Sequence, residues 1–283
     1  MGIKQSVMQS DGIETDEEEN GNSSREKYLT VSVPELRGSS PLASTIVNDE
    51  VKIEAAATFA KENAPPPETC RVPVVVKCRV AAAEGRWIKH YSSCHRILLV
   101  GEGDFSFSTC LAAAFGWASN MVATSLDSQD FLVKNYGTAL SNLVELSIRN
   151  CRVMHEINAT TMANDSRLAG MKFDRIIYNF PFAGFFKGLS RDAQLRRHRS
   201  LVSGFMENAK KMVSEKGEIH ITHKTNEFHK EWKLEVVASI HRLRLVEAVD
   251  FSHLDYQGYN TKCGFGGDNN FNCYPSKTYK FGL

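Results

Sequence analysis

No stretch of this 283-residue chain approaches the roughly 18 consecutive apolar residues that cross a bilayer, so no membrane partner is expected. The polar, acidic N-terminus lacks the apolar core of a secretory signal, and an intracellular protein is expected. No two of the seven cysteines (Cys70, Cys78, Cys94, Cys110, Cys151, Cys263 and Cys273) have CxxC spacing, and their number is odd. Cys263 and Cys273 are far enough apart to close the Gly- and Asn-rich loop Tyr259 to Pro275, but reduced thiols and no metal site are the better reading. There is no internal repeat, and no basic import-type cluster outside Arg196 to Arg199.

Net charge is nearly absent, at +1, but it is unevenly placed. The chain has 34 Lys and Arg against 33 Asp and Glu, yet residues 1–85 hold 9 basic and 14 acidic groups. The remaining 198 residues hold 25 basic and 19 acidic groups, a mildly basic balance that suits a polyanion without requiring one. Residues 1–85 also lack a sustained period of 3.6 or 2. They carry the acidic run Asp16 to Glu19 and the triplet Pro65-Pro66-Pro67, with one strand-like run at Val74 to Val80. This segment reads as a largely disordered acidic tail, followed by one domain over 86–283.

From Trp87 onward short apolar runs alternate with helical stretches, the pattern of a parallel βαβ sheet. Ile97 to Val100 is a strand buried on both faces. A helix is expected from about Phe105 to Phe115, capped by Asp104 or Ser106. Further strands are expected at Met121 to Leu126, Cys151 to Met154, Phe173 to Asn179, Glu218 to Thr222 and Leu243 to Phe251. A seventh, Lys277 to Phe281, returns antiparallel. Helical spacing covers Phe131 to Ile148, Leu195 to Val213 and Trp232 to His241, with Gly217 placed as a left-handed cap to the second of these.

The turn Gly101-Glu102-Gly103-Asp104 after the first strand carries the most chemistry. Glycines there let the backbone turn tightly and approach a ligand. A dinucleotide fold would have a third glycine where Ser106 stands, and its pyrophosphate would be repelled by Asp104. The sulfonium and ammonium of S-adenosylmethionine suit Glu102 and Asp104, so Gly101, Glu102, Gly103, Asp104 and Phe105 are candidate cofactor contacts. Asp127, 24 residues after Gly103, stands where an acid binds ribose hydroxyls, although Asp127 or Ser128 also suits a helix cap. Asn158 and Ala159 follow the third strand, where an adenine edge would sit. Asn179-Phe180-Pro181-Phe182 ends the fourth strand, pairing a fixed amide edge with a stacking surface for a planar base. Phe185 and Phe186 are candidates for a further wall. His223, Lys224 and Thr225 end the fifth strand at the same sheet edge. Arg191, Arg196, Arg197, His198 and Arg199 read as a solvated helix face that can also contact phosphates.

Five blocks carry a resemblance: ILLVGEGDFSFS at 97–108, ATSLDS at 123–128, FDRIIYNFP at 173–181, HRSLVSGFMENAKKM at 198–212 and GEIHITHKT at 217–225. They resemble the large-subunit ribosomal RNA uridine-N3 methyltransferase family, and its short plant members in particular, over about Trp87 to the C-terminus. The resemblance implies a Rossmann-like class I methyltransferase fold: a mostly parallel seven-stranded sheet with helices on both faces. It implies S-adenosylmethionine bound by Gly101, Gly103, Asp104 and Asp127, a base pocket lined by Asn179 and Pro181, ribosomal RNA as partner, and a nuclear or nucleolar location, with the cytoplasm left open as the alternative. Two positions depart from the family pattern: Asn158 stands where many members have Asp, and Phe182 where they usually have His.

Uracil N3 is a poor nucleophile while it keeps its imide proton, so a base or donors to the flanking carbonyls are needed. Asn179 and Lys224 are the expected donors and His223 the expected base. Two other readings stay open at this point: a binding or regulatory module that keeps the fold, and a methyltransferase for another base or a small molecule.

Overall fold

The computed structural model describes residues 85–265 and 267–283; the acidic tail and the strand candidate Val74 to Val80 lie outside them. Seven strands form the main sheet: β1 (Ile97–Val100), β2 (Met121–Thr124), β3 (Arg152–Met154), β4 (Phe173–Asn179), β5 (Val213–Lys224), β6 (Arg244–Asp250) and β7 (Ser276–Gly282). Their spatial order is β3-β2-β1-β4-β5-β7-β6. β1 runs parallel to β2 and β4, β4 parallel to β5, and β7 antiparallel to both β5 and β6. This is the mixed seven-stranded α/β sheet expected from the sequence.

Residue alternation in β1 explains why the sheet is covered twice. Leu98 and Val100 enter one core with Ile176, Ile219 and Phe205, whereas Ile97 and Leu99 enter the other with Ile177, Phe107 and Leu111. Helices α1 (Ser106–Phe115), α2 (Gln129–Asn135) and α3 (Ala139–Ile148) cover the second face. Helix α4 (Arg191–Met212), the short α5 (Glu227–Lys230) and α6 (Leu234–Ile240) follow β4 and β5, and α4 and α6 cover the first face. Val202, Phe205, Met206 and Ala209 of α4 are fully buried at helical spacing. Each large apolar side chain buried in this way contributes about 1.5–3 kcal/mol. Among the described residues no helix is long and apolar enough to cross a membrane.

Several local expectations are corrected. The helical spacing over Phe131 to Ile148 is two helices, because Tyr136 is extended and the Gly137 N–H turns out to Asp268 Oδ2 at 3.3 Å. Helix α4 begins a turn early, since the Ser190 hydroxyl accepts the Ala193 N–H at 3.3 Å. Gly217 is not a left-handed cap. It lies inside β5, where the β4–β5 register shifts, and a Cβ there would stand 2.8 Å from the Phe173 carbonyl oxygen. Helix α1 has no side-chain cap: Phe105 precedes it at φ 61°, and Asp104 Oδ1 accepts the Ser106 N–H at 3.0 Å.

The segment between β6 and β7 positions the site. It carries a two-stranded hairpin, Lys262–Gly264 with Gly267–Asn270, and folds back over the turn after β1. The Asn260 N–H donates to Ser106 Oγ at 2.9 Å, tying the two together.

Candidate active site

A cavity of about 400 Å³ opens at the carboxyl ends of β1, β4 and β5, where ligands bind in open α/β sheets. Gly101, Glu102 and Gly103 line it from β1, Tyr178 to Phe182 from β4, and His223 and Lys224 from β5. His229, Tyr259, Asn260, Lys262 to Phe265 and Phe271 complete the wall.

The β1 turn is held on the end of β2. Glu102 donates its N–H to the Thr124 carbonyl at 2.9 Å and accepts the Ser125 hydroxyl on its own carbonyl at 2.7 Å. Gly101 sits at φ 69°. Glu102 is 9% exposed, and its Oε2 accepts the Ser108 N–H and hydroxyl at 3.0 and 2.7 Å. Burial pushes its carboxyl up to about 7, against those two hydrogen bonds.

The other candidate cofactor residues divide. Asp104 is 2% exposed and faces inward: Oδ1 accepts from the Ser106 N–H and hydroxyl, Oδ2 from the Thr138 hydroxyl at 2.8 Å and Asn260 Nδ2 at 3.4 Å. It organises the turn, the start of α3 and the β6–β7 segment, and does not line the cavity. Phe105 is fully buried in the core beside His155. Ser128, not Asp127, caps α2, accepting the Phe131 N–H at 3.3 Å. Asp127 is left half-buried past the end of β2, its carboxyl raised by burial. Asn158 is exposed, but its Oδ1 accepts the Thr160 N–H at 2.9 Å and hydroxyl at 2.8 Å, and Ala159 belongs to the core.

On the acceptor side, Asn179 carries the clearest signal. Both Oδ1 and Nδ2 of its amide are buried without a hydrogen-bond partner. Next to it Phe180 takes φ 48°, a left-handed conformation costly for an aromatic residue. Its N–H is held by the Thr222 carbonyl at 2.8 Å, and its ring packs on Phe251 and Phe271. Pro181 is buried, and Phe182 is 42% exposed at the cavity. Phe186 is covered by the Arg197 guanidinium at 4.0 Å, which leaves Phe185 as the open ring of that pair.

The basic stretch of α4 is not uniformly a solvated face. His198 is fully buried, stacked between Phe182 at 5.0 Å and Trp232 at 4.2 Å, and its Nδ1 accepts the Ala183 N–H at 3.2 Å. Arg191 pairs with Glu231, whose backbone carbonyl also accepts from Arg199. His223 is 3% exposed; its Nε2 donates to the His229 carbonyl at 3.2 Å, and burial lowers its pKa to about 3. Lys224 reaches the cavity with its ammonium on the Asn272 carbonyl at 2.7 Å and 5.7 Å from the Phe271 ring. Thr225 turns away, its N–H on the Pro275 carbonyl. The described cysteines, Cys94, Cys110, Cys151, Cys263 and Cys273, are free thiols. Among the described residues no group of three or more His, Cys, Asp or Glu is placed to hold a metal ion.

The sequence reading missed Tyr178, His229 and the wall from Tyr259 to Phe271. Only the Gly and Asn content of that last stretch marked it, and it marked a loop.

The family model BMT5-like, described as rRNA (uridine-N3-)-methyltransferase BTM5-like, matches residues 98–263. An uncharacterized protein of Arabidopsis thaliana is 45% identical over 201 residues, covering 69% of this chain and 96% of that protein. Heavy metal-associated isoprenylated plant protein 41 of Arabidopsis thaliana is 45% identical over 197 residues, covering 69% of this chain and 38% of that protein. Among solved structures, magnesium protoporphyrin IX methyltransferase from Synechocystis with bound S-adenosylmethionine is similar with a TM-score of 0.41 at 12% identity, over 66% of this chain and 69% of that one. With its strand order, its glycine turn and a family match over more than half its length, the chain belongs to the BMT5-like family of S-adenosylmethionine-dependent methyltransferases.

Proposed function

We propose that the chain methylates N3 of a uridine in large-subunit ribosomal RNA, and that it acts in the nucleus or nucleolus. The observation that carries the substrate reading is the Asn179 amide, buried without a partner at the end of β4 in a cavity that also holds an ammonium and aromatic rings. A buried amide lacking partners costs about 1–3 kcal/mol per group; a carbonyl on a base edge takes up its Nδ2 hydrogen. The imide edge of uracil offers such a carbonyl beside N3, and Phe182 supplies a face for stacking.

The cofactor's chemistry fits the donor side. Gly101 and Gly103 open the turn to close approach, and the buried Glu102 carboxyl beside them suits a cation. When bound, S-adenosylmethionine supplies an electrophilic methyl group on a sulfonium. The residues of this chain orient the base, exclude water and handle its proton. Asn179 Nδ2 and the Lys224 ammonium donate to the carbonyls flanking N3, where negative charge develops as the proton leaves. Asp127, freed from helix capping by Ser128, is the ribose ligand of this proposal.

A second reading has one observation behind it. The Asn158 carbonyl is already bonded to Thr160, which removes an acceptor from the adenine end and favours a weakly active binding module. The test for both is transfer of labelled methyl from S-adenosylmethionine to in-vitro-transcribed large-subunit ribosomal RNA, with the product identified by nucleoside mass spectrometry. 3-Methyluridine supports the proposal. Another methylated nucleoside moves the acceptor, and cofactor binding without any transfer favours the module.

A further inference from the structure

We infer that His229, held by Asn226, is the base that removes the acceptor proton; this rests on the uridine-N3 reading above. His223 was the candidate from sequence, but the hydrogen bonds give the two histidines different tasks.

Asn226 caps α5, and its Oδ1 accepts the His229 backbone N–H at 3.2 Å. That cap fixes which end of the amide is oxygen. The same oxygen lies 2.5 Å from His229 Nδ1. An amide oxygen only accepts, so Nδ1 carries the hydrogen and Nε2 keeps its lone pair. His229 lines the cavity together with Asn179 and Lys224. Its ring is stacked on Trp232 at 5.6 Å and 23°, and meets Phe228 edge-on at 5.5 Å. His223 donates through Nε2 to the His229 carbonyl, so it anchors the turn that carries the base. A base, an orienting amide and a second residue fixing the backbone repeat the logic by which catalytic imidazoles are held elsewhere.

The charged and titratable groups facing this ring are Lys224 and His223 from β5 and His198 from α4; Glu227 and Lys230 on its own helix pair with each other. Burial, then Lys224, lowers the His229 pKa to about 4. The imidazole is therefore neutral and open at neutral pH, but a weak base. Proton transfer needs the Lys224 and Asn179 donors to take up the charge left on the ring carbonyls.

The order of events follows from the ring chemistry. The N3–H bond breaks, its proton going to Nε2 and its electron pair staying on N3 as an imidate. The same in-plane pair forms the N–CH3 bond while the C–S bond breaks and sulfur keeps the bonding electrons. The imidazolium then releases its proton to water. Proton loss precedes methyl transfer, because one orbital serves both.

A more acidic N3–H should therefore relieve the need for His229. The experiment uses the full chain, labelled S-adenosylmethionine, and large-subunit ribosomal RNA transcribed with uridine or with the more acidic 5-fluorouridine. His229→Gln is expected to lower transfer to uridine RNA about 10²-fold relative to the parent protein, the usual worth of a positioned base, with cofactor affinity unchanged. On 5-fluorouridine RNA the deficit should shrink at least about tenfold, and Asn226→Ala should show the same pattern more weakly. An equal deficit on both RNAs, or none on either, overturns the role. Nitrogen-15 NMR of the imidazoles gives a readout independent of RNA: His229 protonated at Nδ1 is expected, and protonation at Nε2 overturns the proposal. A parent protein that methylates no uridine sinks the uridine-N3 reading and this role with it, whatever the tautomer, so the two failures are told apart.

Discussion

Tyr178 lies against Gly101: a Cβ added to the glycine would stand 2.5 Å from Cε2 of the tyrosine. The β1–β4 register brings them together, since Val100 pairs with Tyr178 and Gly101 turns off the strand at φ 69°. The tyrosine ring has little room to yield, being 9% exposed and 5.0 Å from Phe205. Gly101→Ala therefore combines left-handed strain of about 1–2 kcal/mol with displacement of a packed ring, about 1–3 kcal/mol more. Urea denaturation should register the loss, and calorimetry should find S-adenosylmethionine binding abolished. Parental stability and affinity in this variant would contradict the steric account of the turn.

Asn208 of α4 holds the loop after β3 from the other face. Its Nδ2 donates to the Thr160 carbonyl at 2.6 Å and the Gly204 carbonyl at 2.9 Å, and its Oδ1 accepts the Ala163 N–H at 3.1 Å. Asn208 is 4% exposed, so removal of its side chain strands backbone groups away from water. Asn208→Ala should cost about 2–4 kcal/mol, from one or two unsatisfied buried groups and a small cavity. The released loop carries Asn158 and Ala159, which the sequence reading assigned to the adenine edge; on that assignment cofactor affinity should fall at temperatures where the variant is still folded. Thermal unfolding and calorimetry together check this, and an affinity equal to the parent's in a folded Asn208→Ala protein would detach that loop from the cofactor.

A continuous apolar run made β1 legible with correct boundaries, because a strand buried on both faces leaves no other use for Ile97 to Val100; β4 was also read with correct boundaries, from the shorter run Ile176 to Tyr178 flanked by polar residues. Strand ends in a parallel sheet share an edge, so Gly101 to Gly103, Asn179 to Phe182 and Lys224 could be gathered before any coordinates. Short polar side chains were another matter. Asp104 and Asn158 stand where the sequence pattern leads one to expect ligand contacts, yet each bonds a neighbour two residues on, an alternative that local sequence leaves open. Gly217 shows the same limit for backbone: a glycine after a helix serves a left-handed cap or a close approach, and only the carbonyl of Phe173 decides. Phe265 was invisible because its place depends on long-range ties, such as the bond from Asn260 to Ser106, and His229 because the four-residue helix that carries it, capped by Asn226, is too short to leave a periodic trace.

Asn179 separates binding from turnover. Its amide makes no bond within the protein, so nothing is broken when it is removed. Asn179→Ala should leave the melting temperature unchanged or raise it, the usual sign of a polar group kept for function at the expense of stability. Cofactor affinity should stay within about threefold, while methyl transfer falls about 10²–10³-fold, as for loss of one preorganised donor at a developing oxyanion. Turnover equal to the parent's would remove Asn179 from the chemistry.

Glu102 makes both stability and cofactor binding depend on pH. Burial raises its carboxyl from 4.5 to about 7 in the folded protein. Between those values the folded state holds a proton that the unfolded state has lost. This contribution is full below the unfolded pKa and is lost as pH rises through the folded one, by about 3 kcal/mol at most. A bound sulfonium or ammonium reverses the preference and draws the group to its carboxylate. Cofactor binding near pH 7 should therefore release part of a proton, and affinity should rise from pH 6 to pH 8 by up to about tenfold per unit. Calorimetry in two buffers of different ionisation enthalpy measures that release directly. Glu102→Gln cannot titrate, so its binding should be weaker and flat across the range; proton release persisting in that variant would assign the linkage to another group and take Glu102 away from the cofactor's charge.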